Sequence, residues 1–309
     1  MYINKYKVAI LMSTYNGEEY ISEQIDSIIN QSFKDWTLYI RDDGSTDSTR
    51  MIITNYVEKF PNIIFINSEE NDNLGVIASF YQIVKEVDSD FYMFCDQDDV
   101  WLENKILESF NLYNKDWFDM PVVIYSDLEL VNHNLVSLGK TMHEQNKFTA
   151  DINLSNLIAQ NSVTGCTVFF NRTLKNKLVL DTNNILMHDW WFALLAITQG
   201  KLVFNSNTTI LYRQHSNNVV GSKGIIHKLK SGYGLREMKS SIIKTQNQAK
   251  SFLECYGEDL STEDKKIIAD YINIYNVSLI DRVKLLKTNK YKKTGFLRNS
   301  VFKFLLIFP

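Results

Sequence analysis

Three carboxylates follow a mostly apolar run in the stretch FYMFCDQDDVW, at residues 91–101. Asp96, Asp98 and Asp99 repel one another, and they are costly to desolvate unless a cation lies between them. A hard divalent ion such as Mg²⁺ or Mn²⁺ prefers oxygen ligands of this kind. The D-x-D spacing therefore predicts a metal bound together with the phosphates of a substrate. An acidic turn that caps a helix beginning near Trp101 would give the same pattern.

A second acidic pair lies in RDDGSTDST, at residues 41–49. Asp42 and Asp43 end an apolar run, and a glycine and several Ser, Thr and Asp residues follow them. This arrangement is also typical of an ordinary strand, turn and helix cap, and residues 45–48 are expected to supply that cap. The D-x-D is therefore not the only acidic strand end in the chain.

The elements that must position these carboxylates alternate between apolar strands and amphipathic helices. Near-continuous apolar strands separated by such helices predict a parallel sheet covered on both faces, an α/β doubly wound fold. The predicted strands are VAILMSTYN, WTLYIRDD, IIFINSE and FYMFCDQDD, and the helices between them are EEYISEQIDSIINQ, STRMIITNYVEKF and GVIASFYQIVKEV.

Polar residues gather where three of these strands end. Thr14 and Tyr15 follow the first strand, Asp43 follows the second, and Asp96 and Asp98 follow the fourth. Ligands of such sheets bind beyond the carboxyl ends of the strands. We therefore expect the three strand ends to form one crevice.

The second half of the chain is less regular. VVIYSDLELV and TVFFNRT are predicted strands, HDWWFALLAITQG is a predicted helix that ends at Gly200, and KLVFNSNTTILYRQH is predicted to be a hairpin-like pair of strands. From Gly224 onward the pattern is helical. The sequence thus predicts two parts, residues 1–222 and a helical C-terminal region at residues 223–309.

Composition limits the class of protein. The chain has 309 residues, 45% of them hydrophobic, which is enough for a full core and excludes a disordered or fibrous protein. Its three cysteines show no C-x-x-C spacing, which fits a reducing compartment. The first apolar run is too short for a secretory signal, and no stretch reaches the length of a membrane span. These features predict a cytosolic protein.

Positive charge is concentrated near the C-terminus, where eight Lys or Arg and no Asp or Glu follow Asp281. The tail KYKKTGFLRNSVFKFLLIFP, residues 290–309, interleaves cations with large apolar side chains. It is suited to lie on an anionic membrane surface. A helix packed on its own domain or on a second subunit of a homo-oligomer is the alternative. The cations follow no known nucleic-acid-binding motif, so no nucleic-acid partner is expected.

Four short motifs together resemble a known enzyme family. They are STYNG at residues 13–17, DDGSTD at 42–47, CDQDDVW at 95–101 and HDWW at 188–191. Each motif is weak alone. In this order they are similar to the family-2 glycosyltransferases with a GT-A-type fold, in particular to the bacterial rhamnosyltransferases that build cell-wall polysaccharides. The resemblance covers roughly residues 5–220, and it implies that residues 1–222 form a nucleotide-sugar-binding catalytic domain.

The resemblance implies roles on the donor side. Thr14, Tyr15 and Asp43 would line the nucleotide pocket, with Asp43 near the base or the ribose. Asp96 would contact the ribose or the metal. Asp98 would bind a divalent metal, Mn²⁺ or Mg²⁺, at the donor diphosphate. His215 in YRQH matches a position where some relatives place a further metal ligand, although a lone histidine is often structural.

The resemblance also implies the groups on the acceptor side. Asp189 would be the catalytic base, and burial between apolar indoles would raise its pKa. Trp190 and Trp191 could form an apolar platform for a sugar, although core packing is the alternative and one of the two is expected to be core. Gly165, in NSVTGC at residues 161–166, would belong to an acceptor loop, or to a plain turn.

The activity that the resemblance implies is an inverting glycosyl transfer. A β-linked dTDP-L-rhamnose donor would give an α-linked product on a lipid-linked glycan, made at the inner face of the cell membrane by a peripherally bound cytoplasmic enzyme. A UDP-hexose donor is the alternative. A sugar-phosphate nucleotidyltransferase is disfavoured because the glycine-rich, basic N-terminal loop is missing. A non-catalytic sugar-binding protein is disfavoured because Asp98 and Asp189 are both present.

Overall fold

The fold is seen in a computed structural model that describes residues 6–179, 184–215 and 233–309. Its first half alternates strands and helices as the sequence predicts. The strands are β1 (Val8–Thr14), β2 (Trp36–Asp42), β3 (Ile63–Phe65) and β4 (Phe91–Cys95), and the helices between them are α1 (Ile21–Ile29), α2 (Thr49–Lys59) and α3 (Val76–Glu86). β1 pairs in parallel with β2 and β4, and β2 pairs in parallel with β3. Because β1 and β4 are buried on both faces, their sequences are almost continuously apolar.

The second half extends the same sheet with antiparallel strands. It comprises β5 (Val100–Trp101), α4 (Lys105–Leu112), β6 (Val122–Val131), β7 (Ser137–Thr141), α5 (Met142–Asn146), α6 (Leu154–Leu157), β8 (Phe169–Asn171), α7 (Arg172–Lys177), α8 (His188–Gln199) and β9 (Lys201–Arg213). The strand order is β3-β2-β1-β4-β8-β6-β9-β5, with β7 beside β6. β8 runs antiparallel to β4 and β6, and β6 runs parallel to β9. The predicted α/β fold with a mostly parallel sheet is confirmed.

The register of the parallel strands explains where a ligand crevice can form. Thr14 at the end of β1 lies opposite Asp42 at the end of β2, and Met12 lies opposite Cys95 at the end of β4. The polar residues that follow these strands therefore start from one edge of the sheet. The predicted convergence of three strand ends is confirmed.

The predicted hairpin over KLVFNSNTTILYRQH is wrong, because β9 is one continuous strand of 13 residues. β9 pairs in parallel with β6, where Asn205 lies opposite Ser126 and Thr208 lies opposite Asp127. The two residues between Asn205 and Thr208 have no counterpart on β6, so the polar triplet NSN forms a bulge. The triplet contains neither Gly nor Pro, and the long partner strand keeps the chain extended.

The predicted helix near Trp101 begins later, at Lys105. Val100 and Trp101 instead pair with β9, and the D-x-D turn therefore leads into a short strand rather than capping a helix. The side-chain cap predicted for α2 is absent at its N-cap residue, Ser48, although Asp47, one residue earlier, accepts a hydrogen bond of 3.0 Å from the backbone amide of Thr49.

Helices make up the described part of the C-terminal region. They are α9 (Tyr233–Tyr256), α10 (Thr262–Ile272), α11 (Leu279–Asn289) and α12 (Phe296–Ile307). The predicted boundary between residues 222 and 223 lies outside the described residues. The Trp191 ring in α8 contacts the rings of Phe252 and Tyr256, so α9 packs against a helix of the sheet layer. The core that covers one side of the sheet continues into these helices.

The last helix has two faces. Phe302 and Leu306 are fully buried against the rest of the chain, whereas Phe296 is 90% exposed and Phe304 is 54% exposed. Within the described ranges, no helix combines the length and the apolar character that crossing a membrane requires. The tail thus packs partly on its own domain and presents a second, apolar face outward.

Candidate active site

The ends of β1 and β2 are fastened to each other. Thr14 Oγ1 donates to Asp42 Oδ1 over 3.0 Å, and both side chains are buried. Asp42 also accepts hydrogen bonds from the backbone amide of Ser45 at 2.9 Å and from Arg50 at 3.1 Å. Thr14 therefore braces the edge of the crevice, and its place in a nucleotide pocket stays a prediction.

Asp43 connects β2 to the segment that precedes α3. Its carboxylate accepts from Arg41 Nη1 at 2.6 Å and from the backbone amides of Leu74 and Gly75, each at 2.8 Å. Both members of the Arg41–Asp43 ion pair are buried. These partners within the chain fix Asp43 as part of one wall of the crevice, and contact with a nucleotide stays a prediction.

Gln97 joins the β1 end to the D-x-D turn, a role that the sequence analysis missed. Tyr15 donates its backbone amide to Gln97 Oε1 at 2.8 Å, and Gln97 Nε2 donates to the Tyr15 carbonyl at 2.9 Å. A Cβ at Gly17 would lie 2.3 Å from Gln97 Oε1, so a larger residue there would displace the Gln97 side chain from its contacts with Tyr15. The Tyr15 side chain stays half-exposed beside this junction. In the sequence, the glycine of STYNG and the central Gln of D-Q-D were the signals from which this junction could have been predicted.

The two residues predicted to bind a metal lie side by side. His215 Nε2 is 2.7 Å from Asp98 Oδ2, although the residues are separated by more than a hundred positions in the chain. The Tyr20 ring stacks on the His215 imidazole, with 5.2 Å between the ring centroids. β9 brings His215 to the D-x-D turn because β5, directly after that turn, pairs with β9.

A buried arginine, also missed from the sequence, clamps this turn. Arg213 donates its Nε to the Asp98 carbonyl at 2.9 Å and its backbone amide to Asp99 Oδ1 at 3.2 Å. Its guanidinium also forms an ion pair with Glu23. The side chain of Arg213 is only 2% exposed, whereas that of Glu23 is 55% exposed, so the guanidinium is buried and its acidic partner remains in contact with water. Its position two residues before His215 was the only signal in the sequence.

The carboxylates of the turn are poorly solvated. Burial raises the pKa of Asp96 to about 7, and the negative charges of Asp98 and Asp189 add to that rise. Burial and the negative charges of Asp98 and Asp96 raise the pKa of Asp99 well above its usual value. Ligand atoms of Asp96, Asp99 and Cys166 lie within 4.8 Å of one another. A cation at this turn would relieve the repulsion.

The residues present fit a hard divalent ion. Asp98 offers a carboxylate oxygen and His215 an imidazole nitrogen from adjacent positions, and Asp96 offers a second carboxylate near them. Oxygen and imidazole ligands suit Mn²⁺ and, with more oxygen, Mg²⁺. The raised pKa of Asp96 is the expected sign of a carboxylate that lacks a positive partner.

Asp189 stands in the first turn of α8 and faces the same crevice. Its Oδ1 accepts from Asn161 Nδ2 at 3.1 Å and from the Trp190 backbone amide at 2.6 Å. Burial raises the pKa of Asp189 to about 7, and these hydrogen bonds oppose the rise. The predicted increase in this pKa is confirmed. A carboxylate with a pKa near neutrality is a better base than an ordinary aspartate.

Gly165 leaves room in front of Asp189. A Cβ at this position would lie 3.6 Å from Asp189 Oδ2 and 3.2 Å from His188 Nε2. His188 is buried between the rings of Phe80 and Phe94, and burial lowers its pKa to about 3, so its imidazole is neutral. Gly165 therefore lies beside the proposed base, and its contact with an acceptor stays a prediction.

The predicted platform of two indoles is wrong, since both are buried. Trp191 is fully buried against Phe252 and Tyr256 of α9. Trp190 is 7% exposed, and its Nε1 donates to the Leu157 carbonyl at 2.6 Å. The alternative of core packing thus holds for both tryptophans. They anchor α8 between α6 and α9, and so they hold Asp189 in place rather than contacting a sugar.

The arrangement is suited to a group transfer between a phosphorylated donor and a hydroxyl. Asp98 and His215 contact each other at the D-x-D turn, and Asp189 supplies a carboxylate of raised pKa on another element of the same crevice. The effect of the Asp189 charge on the pKa of Asp96 shows that the two groups share one electrostatic environment. One group of residues could stabilise the negative charge on a leaving phosphate, and a separate carboxylate could take the proton of the nucleophile.

The comparisons with known proteins agree with this chemistry. Residues 9–178 match the family model of glycosyl transferase family 2. The chain is 32% identical over 225 residues to the dTDP-rhamnosyl transferase RfbG of Shigella flexneri, covering 68% of this chain and 74% of that protein. It is 30% identical to the UDP-Glc:alpha-D-GlcNAc-diphosphoundecaprenol beta-1,3-glucosyltransferase WfgD of Escherichia coli, over 56% of this chain and 64% of that one.

A solved structure shares the fold. The crystal structure of S. aureus TarS residues 1–349 in complex with UDP-GlcNAc aligns with a TM-score of 0.55 and 16% sequence identity, over 97% of this chain and 90% of that one. The likeness extends over the sheet and the C-terminal helices. Together with the family match, which spans more than half of the sequence, it identifies the chain as a member of glycosyl transferase family 2 with a GT-A-type fold.

Proposed function

We propose that this protein transfers L-rhamnose from dTDP-β-L-rhamnose to a lipid-linked cell-wall polysaccharide acceptor, with inversion at the anomeric carbon. The likeness to a dTDP-rhamnosyl transferase supports the donor. The likeness to an enzyme named for a diphosphoundecaprenol-linked acceptor supports a lipid-linked acceptor, and its UDP-Glc donor makes UDP-hexose the second candidate.

The observation that carries the proposal is the environment of Asp189. Its carboxyl group is buried, has a pKa of about 7, and is held through Oδ1 by Asn161 and by the backbone of Trp190. Oδ2 lies on the side of Gly165, whose backbone also hydrogen-bonds to the carboxyl group, and we propose that Oδ2 receives the proton through its remaining lone pair. A base with these properties is half ionised near neutral pH and needs no rearrangement to act.

The transfer then follows from the positions of these groups. Asp189 Oδ2 takes the proton of the acceptor hydroxyl as its oxygen bonds to the anomeric carbon of the donor. The bond between that carbon and the diphosphate oxygen breaks on the opposite face, so the configuration inverts and dTDP leaves. Attack from one face and departure from the other require the base and the diphosphate to lie on opposite sides of the sugar.

Asp98 and His215, with Asp96, would hold a Mn²⁺ or Mg²⁺ ion. Such an ion supplies positive charge to the diphosphate as negative charge develops on it. Arg213 would keep the ligands in place, since it holds both the Asp98 carbonyl and the Asp99 carboxylate. We also propose that the enzyme works in the cytoplasm, bound peripherally to the inner face of the membrane through α12, whose outer face carries Phe296 and Phe304.

A donor screen tests this proposal. The purified protein is incubated with dTDP-L-rhamnose, UDP-glucose, UDP-galactose or GDP-mannose, and release of the nucleoside diphosphate is measured with Mn²⁺, with Mg²⁺ and with EDTA. We expect metal-dependent release of dTDP to be fastest. Faster release of UDP would show that the transferred sugar is a hexose and not rhamnose. Release of inorganic diphosphate from a nucleoside triphosphate and a sugar phosphate would indicate a nucleotidyltransferase.

A further inference from the structure

A cavity of about 530 Å³ lies between α6, α11 and α12, away from the D-x-D turn. Four lysines line it: Lys287, Lys290, Lys292 and Lys303. The wall also contains the apolar side chain of Ile307. Its volume falls within the range of about 300–1,000 Å³ that is typical of small-molecule sites. It is therefore a concave site with a high density of positive charge.

The four lysines lack acidic partners in the described part of the chain. No carboxylate oxygen there lies within 4.0 Å of any of their Nζ atoms, whereas the neighbouring Lys284 pairs with Asp281 at 3.1 Å. Arg282, on the same helix, donates to the carbonyls of Tyr275 and Ile307 and is satisfied within the protein. Four like charges around one cavity repel one another, so an anion bound there would be stabilised.

The backbone conformation at Lys290 is one that a lysine rarely adopts. Lys290 ends α11 with φ of +56°, in the left-handed region that favours glycine. A glycine would end the helix with less strain, yet the chain carries a cation that lines the cavity. Asn156, on the α6 wall, has a buried side-chain oxygen without a hydrogen-bond partner among the described residues. A ligand that carries phosphate groups would be stabilised by the lysines of the cavity.

The cavity is connected to the proposed base by a short segment. Gln160 donates to Thr294 Oγ1 at 2.9 Å and accepts from the Thr294 backbone amide at 2.8 Å, which ties the segment to the chain just before α12. The next residue, Asn161, donates to Asp189. Asn156 and Asn161 are five positions apart, so their Cα atoms are separated by at most about 18 Å. A short oligosaccharide could bridge the cavity and Asp189.

The apolar surroundings indicate an anion carried by a lipid. Phe304 and Phe308 of α12 and Leu279 and Ile280 of α11 are at least half exposed on the two helices that form the cavity. Lysine side chains bind phosphate groups, and exposed large apolar residues beside them suit the acyl or prenyl chain of an amphiphile. A free phosphate would use the lysines and leave the apolar surface without a role.

We propose that the four-lysine cavity binds the diphosphate of a lipid-linked acceptor glycan and so directs the sugar end of that glycan toward Asp189. This inference rests on the proposed function, since it assumes a lipid-linked acceptor. It assigns the recognition of the lipid diphosphate to the C-terminal helices and the chemistry to the crevice of the sheet.

Binding of farnesyl diphosphate, measured by titration calorimetry without any donor, tests the inference. In the test variant, Lys292→Gln and Lys303→Gln are combined. The matched control combines Lys59→Gln and Lys85→Gln, two exposed lysines at the ends of α2 and α3, and changes the net charge equally. We expect the test variant to bind on the order of tenfold more weakly or worse, and the control to bind as the unaltered protein does. Equal binding by all three proteins would overturn the inference.

Further arms of the experiment identify the source of the phosphate. Farnesol should not bind, and inorganic diphosphate should bind more weakly than farnesyl diphosphate. If inorganic diphosphate bound as tightly, the lipid assignment would be wrong. If Lys292→Gln with Lys303→Gln abolished binding to vesicles containing phosphatidylglycerol but left binding of farnesyl diphosphate unchanged, the cavity would be a general membrane contact, and the inference would also fail.

Donor hydrolysis separates this inference from the proposed function. Both lysine variants should release the nucleoside diphosphate from the donor in water as fast as the unaltered protein, since neither change touches the crevice. A protein that binds farnesyl diphosphate through the lysines but hydrolyses no nucleotide sugar would retain the cavity assignment and refute the glycosyltransferase proposal.

Discussion

Replacing Asp189 by Asn should make the protein less active and, at higher pH, more stable relative to the unaltered protein. Burial raises the pKa of Asp189 from 3.8 to about 7. The folded protein therefore binds this proton more tightly than the unfolded chain does. The stability that the protonated carboxyl group contributes is present at low pH and is lost as the pH rises from about 4 to about 7. Asparagine does not ionise, so the variant should not show this loss.

The size of the effect follows from the pKa values. Between pH 5 and pH 8, Asp189 is already ionised in the unfolded chain and ionises in the folded protein near pH 7. About two pH units at about 1.4 kcal/mol each give a loss of about 3 kcal/mol that the variant should not suffer. The Asp189 charge also raises the pKa of Asp96, so the difference between the two stability profiles reports Asp189 together with its effect on Asp96.

Urea unfolding of both proteins at several pH values measures this difference. In parallel, turnover of Asp189→Asn should fall by a factor on the order of 10² to 10⁴, with donor affinity within a few-fold. The kcat/KM of the unaltered enzyme should rise with pH through about 7, because the ionised carboxylate is the base. If the stability of the two proteins changed with pH in parallel, the raised pKa of the buried Asp189 would be refuted. If Asp189→Asn lost donor affinity by the same factor as turnover, Asp189 would have a role in donor binding instead.

Three further predictions follow from the structure. Asp98→Asn should abolish donor turnover with the fold intact by circular dichroism, and EDTA should do the same to the unaltered enzyme; full turnover in EDTA would exclude a required metal. Trp191→Ala should lower the free energy of unfolding by about 3 to 5 kcal/mol because the indole is fully buried, and a change below 1 kcal/mol would contradict that packing. Changing the exposed Phe296, Phe304 and Phe308 to Ser should reduce sedimentation with anionic vesicles while leaving thermal stability unchanged; undiminished sedimentation would exclude α12 as the membrane contact.

The parallel half of the sheet was predictable because its signals are local. Each strand is a nearly continuous apolar run, and each of the first three is followed by a helix with an amphipathic pattern. The convergence of Thr14, Asp42 and Asp96 then follows from the rule that parallel strands end at one edge. No tertiary information was needed for that step.

The rest depended on contacts between distant residues. β9 continues as one strand because β6 pairs with it on both sides of the bulge, and the sequence of β9 alone does not reveal this partner. The burial of Trp190 and Trp191 depends on α9 and α6, which flank α8. Arg213 and Gln97 act through hydrogen bonds to residues 82 to 190 positions away, so their roles could be recognised only once the fold had brought those partners together.

The central claim is an inverting transfer of rhamnose catalysed at Asp189, and the anomeric configuration of the product tests it most directly. The enzyme is supplied with dTDP-β-L-rhamnose, a divalent metal and a lipid-linked glycan acceptor, and the new linkage is assigned by NMR from its one-bond carbon–proton coupling. We predict an α-linked rhamnosyl product, which Asp189→Asn forms far more slowly than the unaltered enzyme does. A β-linked product, or α-linked product formed equally fast by the variant, would contradict it.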